Sequence, residues 1–263
     1  MRVYSDDQTG TGHIGAGSGR PPAAPLQFET GSWQIEIARG RADDLHRLEV
    51  PTRRFARVHE VSAPALVLGS RQDPREVTGP LPDGTELAAR RSGGGAVWLA
   101  PGAQVWIDLV VPVGDPLHTA DVRAAAAMVG RAWADALAPE QTVVWDGGMT
   151  EPELSRVACF AGVGPGEVLL DGRKLVGISQ RRNSAVSRFQ CVAYLRWDPE
   201  VLLAAFSGSG RARSEPRSEV LERLSSVLRH GVATLPGSPL ATRPITTSGD
   251  VTDLAGSLVA HLG

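Results

Sequence analysis

The sequence predicts an α+β fold, with a mixed or antiparallel β-sheet core and α-helices packed on it. Three observations predict it. Apolar runs of strand length outnumber helical patterns, most of them follow one another through short glycine turns, and strands and helices do not alternate regularly. The last point argues against a doubly wound parallel sheet. The strand patterns start with the alternating SWQIEIA at 32–38, then FARVHEV at 55–61 and ALVLG at 65–69, with Pro64 between the last two. ELAARR at 86–91, AVWLA at 96–100 and QVWIDLVVP at 104–112 follow, and TVVWDG at 142–147 stands alone. GEVLLDGRKLVGISQRR reads as a hairpin turning at Asp171-Gly172, a two-residue type I′ signal, and SRFQCVAYLRW at 187–197 is the next strand.

The clearest helix is 121–138, with Asp121 as its N-cap and Pro139 after its end. Asp198-Pro199-Glu200 opens a second, with Pro at the first helical position. A third runs over 218–231 between a Ser218 cap and a Gly231 stop, and a fourth over 250–262. RADDLHRLE at 41–49 is a short helix candidate. Residues 1–26 are rich in Gly, Ser, Thr and Pro, which predicts a flexible tail ahead of a single domain over 27–263. The stretches 207–218 and 235–250 have the composition of surface connections.

The chain has 263 residues, is 42% hydrophobic and 21% charged, and carries a net charge of -2. These values exclude a disordered chain, a coiled coil and a collagen, and give no bulk positive surface for nucleic acid. No apolar run reaches the ~18 residues of a membrane helix, and no signal pattern opens the chain, so the expected location is the cytoplasm. The six histidines and two cysteines lack metal-ligand spacing, and no metal site is expected. Of the 27 basic residues only Lys174 is a lysine. Where arginine serves everywhere else, a surviving lysine marks a place for a compact ammonium.

Four segments carry candidate chemistry. Arg90-Arg91-Ser92-Gly93-Gly94-Gly95-Ala96 joins two strands. Its glycines let backbone N–H groups approach a ligand, and its arginines suit a phosphate or carboxylate; a plain hairpin turn is the alternative. Lys174 opens the strand KLVGISQ, which includes Gly177, and either points into a polar cleft or shields a strand edge. Cys159 precedes that hairpin as a small buried hydrophobe or as a nucleophile activated by nearby positive charge, whereas Cys191 reads as packing. Gly69-Ser70-Arg71-Gln72 ends a strand in a polar loop.

Together these segments resemble the lipoate–protein ligase and octanoyltransferase family, similar in catalytic fold to biotin–protein ligases. The resemblance runs from about Phe55 to Trp197 and rests on RFARVHEVSAPALVLGSRQ, RRSGGGAV and DGRKLVGISQRR in that order. It implies a lipoyl or octanoyl group attached to a lysine of a carrier domain through an acyl-adenylate, with ATP, Mg2+ and lipoate or octanoate as reactants. Lys174 would stand by the acyl carbonyl and the α-phosphate. Arg90, Arg91, Ser92, Gly93, Gly94, Gly95, Ala96, Gly177 and Gln72 would line the acyl and adenylate site. The alternative branch takes octanoyl from acyl carrier protein through a thioester on Cys159, and a third possibility is a silent acyl-binding relative. Implied partners are lipoyl domains of 2-oxoacid dehydrogenases or the glycine cleavage H protein, met by a monomer. Many relatives have a His-Gly pair where this chain has Phe189-Gln190-Cys191-Val192. The C-terminal segment 198–263 is too short for the full accessory domain of some ligases.

Overall fold

The structure, a computed structural model, describes residues 26–137, 140–207, 217–235 and 248–263. Most of the proposed tail, much of both surface connections and the Pro139 stop lie outside the described residues. The strands are β1 (Leu26–Thr30), β2 (Trp33–Gly40), β3 (Phe55–Val61), β4 (Ala65–Leu68), β5 (Glu86–Ala89), β6 (Val97–Leu99), β7 (Gln104–Pro112), β8 (Thr142–Val144), β9 (Val168–Leu170), β10 (Arg173–Arg182) and β11 (Val186–Tyr194). The helices are α1 (Ala42–Arg47), α2 (Val122–Leu137), α3 (Leu154–Val157), α4 (Glu200–Phe206), α5 (Arg217–His230) and α6 (Ser248–Ala260).

Eight strands form one sheet in the order β1-β2-β3-β7-β11-β10-β9-β8, antiparallel except for the parallel pair β2–β3. A second sheet, β5-β4-β6, has β4 parallel to β5 and antiparallel to β6. This is the expected mixed α+β architecture. Three details differ from the sequence reading. Leu26 already belongs to a strand, because LQFET pairs residue for residue with β2. Ser218 lies inside α5 rather than capping it.

Pro199 is the N-cap of α4 rather than its first helical residue, whereas the α2 cap and the β9–β10 turn act as read. Asp121 Oδ1 accepts from the amides of Arg123 (2.8 Å) and Ala124 (3.1 Å), which caps α2. Asp171 and Gly172 both have positive φ, +50° and +74°, as a type I′ turn requires.

The two faces of the large sheet differ in kind. One face is apolar, where Ile35, Ile37, Val58, Ile107, Leu109 and Phe189 pack against Val129 and Trp133 of α2 and Leu254 and Leu258 of α6. Residues directly opposite in neighbouring strands share a face. On the other face the register therefore aligns a polar row, Glu36–Arg57–Asp108–Gln190–Ser179. The adjacent row on the same face is His59–Trp106–Val192–Gly177. The small sheet and α1 cover this face through Val67, Val97, Leu99 and Leu45, which cluster with Trp106. Among the described residues no helix is long and apolar enough to cross a membrane.

Candidate acyl-transfer site

The Lys174 side chain is set by a bulge. The β9–β10 register shifts between Lys174 and Val176, so Leu175 and Val176 both enter the helix-covered core. An irregularity of this kind re-aims a side chain. Here it lets Lys174 and Gly177 share the opposite face although they are three residues apart. A Cβ on Gly177 would come 3.3 Å from Lys174 Cε and 3.1 Å from the Phe160 ring.

Lys174 is 2% exposed and its ammonium is fully committed. Nζ donates to the carbonyls of Cys159 and Gly162, each at 2.9 Å, and pairs with Glu167 Oε2 at 2.7 Å. It also lies 4.8 Å from the Phe160 ring centroid. Three donors thus meet three acceptors, as burial of an ammonium demands. Glu167 is held in turn by the amides of Gly164 (2.7 Å) and Ile178 (3.0 Å). The sequence reading put this ammonium in a cleft; in the structure it fastens the loop that carries Cys159. Glu167 was missed by sequence reasoning. Its signal was a single acid in the run GEVLL, beside a hairpin that holds the only lysine.

The glycine loop is closed by Arg90. Its guanidinium donates to the carbonyls of Gly93 (2.8 Å), Gly95 (2.7 Å) and Val67 (3.3 Å). Burial lowers its pKa from the ordinary value, and the nearby charge of Cys159 opposes that shift. Arg90 is therefore occupied as a staple, while Arg91 is exposed. Ala96 N donates to Val157 O (2.8 Å) and Cys159 N to Ala96 O (2.9 Å), which joins the loop to the cysteine segment. Gln72 braces the same joint, accepting from Gly69 N (2.9 Å) and donating to the carbonyls of Arg156 (3.0 Å) and Val157 (3.1 Å). Ser92 Oγ donates to Gln190 Oε1 at 3.0 Å. Gly94 has φ +95°, and a Cβ on Gly69 would fall 1.9 Å from Gly94 O. Gly69→Ala must push two backbone segments apart, and we expect a loss of about 1–3 kcal/mol in urea unfolding.

These elements border a small, partly open pocket between the two sheets, with about 40 Å³ of accessible space. Val67, Val97, Leu99, Trp106, Phe160 and Val192 make its apolar wall; Cys159, Gly177, Ser179, Arg90, Gln190 and His46 also border it. The chemical balance of this lining suits an apolar group. Cys159 is half-buried and lies on this wall, whereas Cys191 is buried on the opposite face, where burial pushes its thiol pKa well up. Residues 189–192 hold no imidazole, but His46 of α1 reaches Gln190, its Nδ1 3.3 Å from Gln190 Nε2. Nothing in the sequence pattern pointed to His46.

Beneath the pocket Asp108 is held by Arg188 (Nε–Oδ2 2.8 Å) and lies 3.0 Å from His59 Nε2. Burial pushes the His46 pKa down to about 3 and lowers that of His59 as well. The Arg188 and His59 charges, against the effect of burial, hold Asp108 well below the usual carboxylate range. All three groups have folded-state pKa values below their unfolded ones, so the unfolded chain binds more protons in acid. Their contribution is full above about pH 6.5 and is lost as pH falls, at up to about 1.4 kcal/mol per pH unit for each group. Urea midpoints at pH 7.5 and pH 5 should show the lower value at pH 5.

The paired sheets, the glycine loop and the lysine hairpin define a catalytic domain of the lipoate protein ligase type. The chain belongs to the lipoyl protein ligase A/B catalytic domain family, whose model matches residues 45–236. Among solved structures, a Thermoplasma acidophilum protein described as a lipoate protein ligase, with bound lipoic acid, is similar in fold. Its TM-score is 0.58 at 12% identity, over 86% of this chain and 82% of that one. A bi-partite lipoate protein ligase from the same organism, described with its E2 lipoyl domain, gives a TM-score of 0.54 at 12% identity, over 89% and 83%. No curated protein sequence matches the chain.

Proposed function

We propose that this protein attaches an acyl group of lipoyl or octanoyl size to the ε-amino group of a lysine on a lipoyl carrier domain, and that Cys159 carries the acyl group between donor and acceptor. One observation carries the reading. Cys159 lies on the wall of the apolar pocket while its own carbonyl is pinned by Lys174 Nζ. The thiolate attacks a donor thioester, the donor thiol leaves, and an acyl-Cys159 thioester forms. The acceptor amine then attacks that thioester, an amide forms and the Cys159 thiol returns. The pocket holds the acyl chain, and the Lys174–Glu167 pair holds the nucleophile's loop.

A second reading, the acyl-adenylate route with ATP and Mg2+, is favoured by a different feature. Arg71, Arg91 and Arg181 meet at the glycine loop, where Arg181 Nη1 donates to Arg91 O at 2.6 Å and Arg71 reaches toward Gly93. Among the described residues none of the three has a carboxylate partner, and all are exposed, as a phosphate-binding rim requires. Mg2+ would arrive with the triphosphate, which commonly supplies much of its coordination.

Intact mass of a lipoyl domain separates the routes. We expect modification from octanoyl carrier protein without ATP. Modification only with ATP and lipoate would select the adenylate route, and none under either condition would leave a silent binding relative. On either route we propose that the described residues from β1 onward act as one catalytic unit, a cytoplasmic monomer.

A further inference from the structure

We propose that Trp197 is a positioning residue for acyl transfer: it backs the Phe160 ring and so holds the Cys159 turn in place at the pocket wall. The inference rests on the reading of Cys159 as the acyl carrier and adds to it a residue outside the pocket lining.

Cys159 opens a single 3₁₀ turn, Cys159–Ala161, which closes on one backbone bond, Ala161 N to Ala158 O at 3.0 Å. So short a turn has little stability of its own. Its place is set by what holds it from outside. Polar anchors fix the backbone: Cys159 N donates to Ala96 O (2.9 Å), and Lys174 Nζ donates to the carbonyls of Cys159 and Gly162. The side chain next to the nucleophile is the apolar anchor. Phe160 is buried, and its ring rests on β10 because Gly177 has no Cβ; one there would stand 3.1 Å from the ring. Tyr194 meets that ring edge-on, with centroids 4.8 Å apart. Trp197 lies 5.8 Å from the Phe160 centroid and 4.5 Å from that of Tyr194. Three rings at these separations form one attractive cluster.

Trp197 is itself held from the far side. Its indole N–H donates to Leu228 O at 2.7 Å, in the last turn of α5, where carbonyls have no partner within the helix. The chain then leaves α5 to run beside β10: Lys174 N donates to Gly231 O (2.8 Å) and Ala233 N to Lys174 O (2.9 Å). One helix end thus anchors both supports of the nucleophile, the backbone of the lysine that pins Cys159 and the indole that backs Phe160. Tyr194 is tied elsewhere, its hydroxyl donating to Trp98 O at 2.7 Å. Without the indole, Phe160 gains room on the side facing α5, and the turn that carries Cys159 shifts with it. A displacement of about 1 Å at a reacting group costs up to about 10²-fold in rate.

Formation of the octanoyl adduct on Cys159 tests this, followed over time by intact mass at saturating octanoyl carrier protein without ATP. Trp197→Leu should slow adduct formation about 10- to 100-fold. Alkylation of the same thiol by iodoacetamide, a small reagent with no bound orientation, should keep its rate. Trp197→Phe, which keeps a ring against Phe160 and loses the bond to Leu228 O, should recover most of the acylation rate. A purely structural indole would lower the urea midpoint and leave the acylation rate of the folded protein unchanged. Should Trp197→Leu not fold, Trp197→Met, which fills more of the space without a ring, is read in its place. An unchanged acylation rate, an equal loss of acylation and alkylation, or no recovery in Trp197→Phe would overturn the assignment. Cys159 stands as the carrier in each of these cases if the unaltered protein forms the adduct and Cys159→Ser does not. No adduct on the unaltered protein would overturn the carrier reading and the Trp197 assignment with it.

Discussion

Lys174→Met should destabilise the protein by about 3–5 kcal/mol and abolish acyl transfer. The substitution leaves the Glu167 carboxylate buried without its cation, with only the Gly164 and Ile178 amides to hold it. It also strips the Cys159 and Gly162 carbonyls of their donor. Removing one partner of a buried pair costs far more than the pair's net contribution, because the survivor's charge is uncompensated. The double variant Lys174→Met/Glu167→Gln removes that charge and should recover much of the stability. It should not recover transfer, because nothing then pins the Cys159 loop. Urea unfolding and turnover on a lipoyl domain, measured together, separate the two effects. A double variant that regains full turnover would show that Lys174 serves stability alone.

Cys159→Ser should abolish ATP-independent transfer at almost no cost in stability. The side chain is half-buried and the change in volume is small. A serine hydroxyl is a far weaker nucleophile near neutral pH than a thiol, and among the described residues no general base is hydrogen-bonded to this side chain. An unchanged urea midpoint beside lost turnover is the expected pattern. If transfer instead depends on ATP, the variant should turn over normally, since the adenylate is already activated.

The α+β class, the lysine hairpin and the α2 cap were legible because each is a local signal. Asp171-Gly172 needs only its two backbone conformations, and Asp121 only the amides two and three residues on. RRSGGGAV was legible as a glycine loop between two strands, but the contacts of each residue were not. Arg90 looks like an anion ligand in sequence; only the fold shows its donors spent on Gly93, Gly95 and Val67. Lys174 looks like a free cation for the same reason, because its partner Glu167 is brought over by a bulged hairpin register that no periodicity encodes. His46 meets Gln190 across 144 residues of chain, a contact set by the way α1 caps the sheet. Strand β1 was missed because its pattern is only five residues long, and composition placed its first residue, Leu26, in the tail.

The central claim is that Cys159 carries the acyl group. It is tested most directly by intact mass of the protein after mixing with octanoyl carrier protein in the absence of ATP and of any acceptor domain. A mass gain of one octanoyl group, released by hydroxylamine and absent from Cys159→Ser, is the expected result. An unmodified protein that nonetheless octanoylates a lipoyl domain, or an adduct that persists in Cys159→Ser, would contradict it.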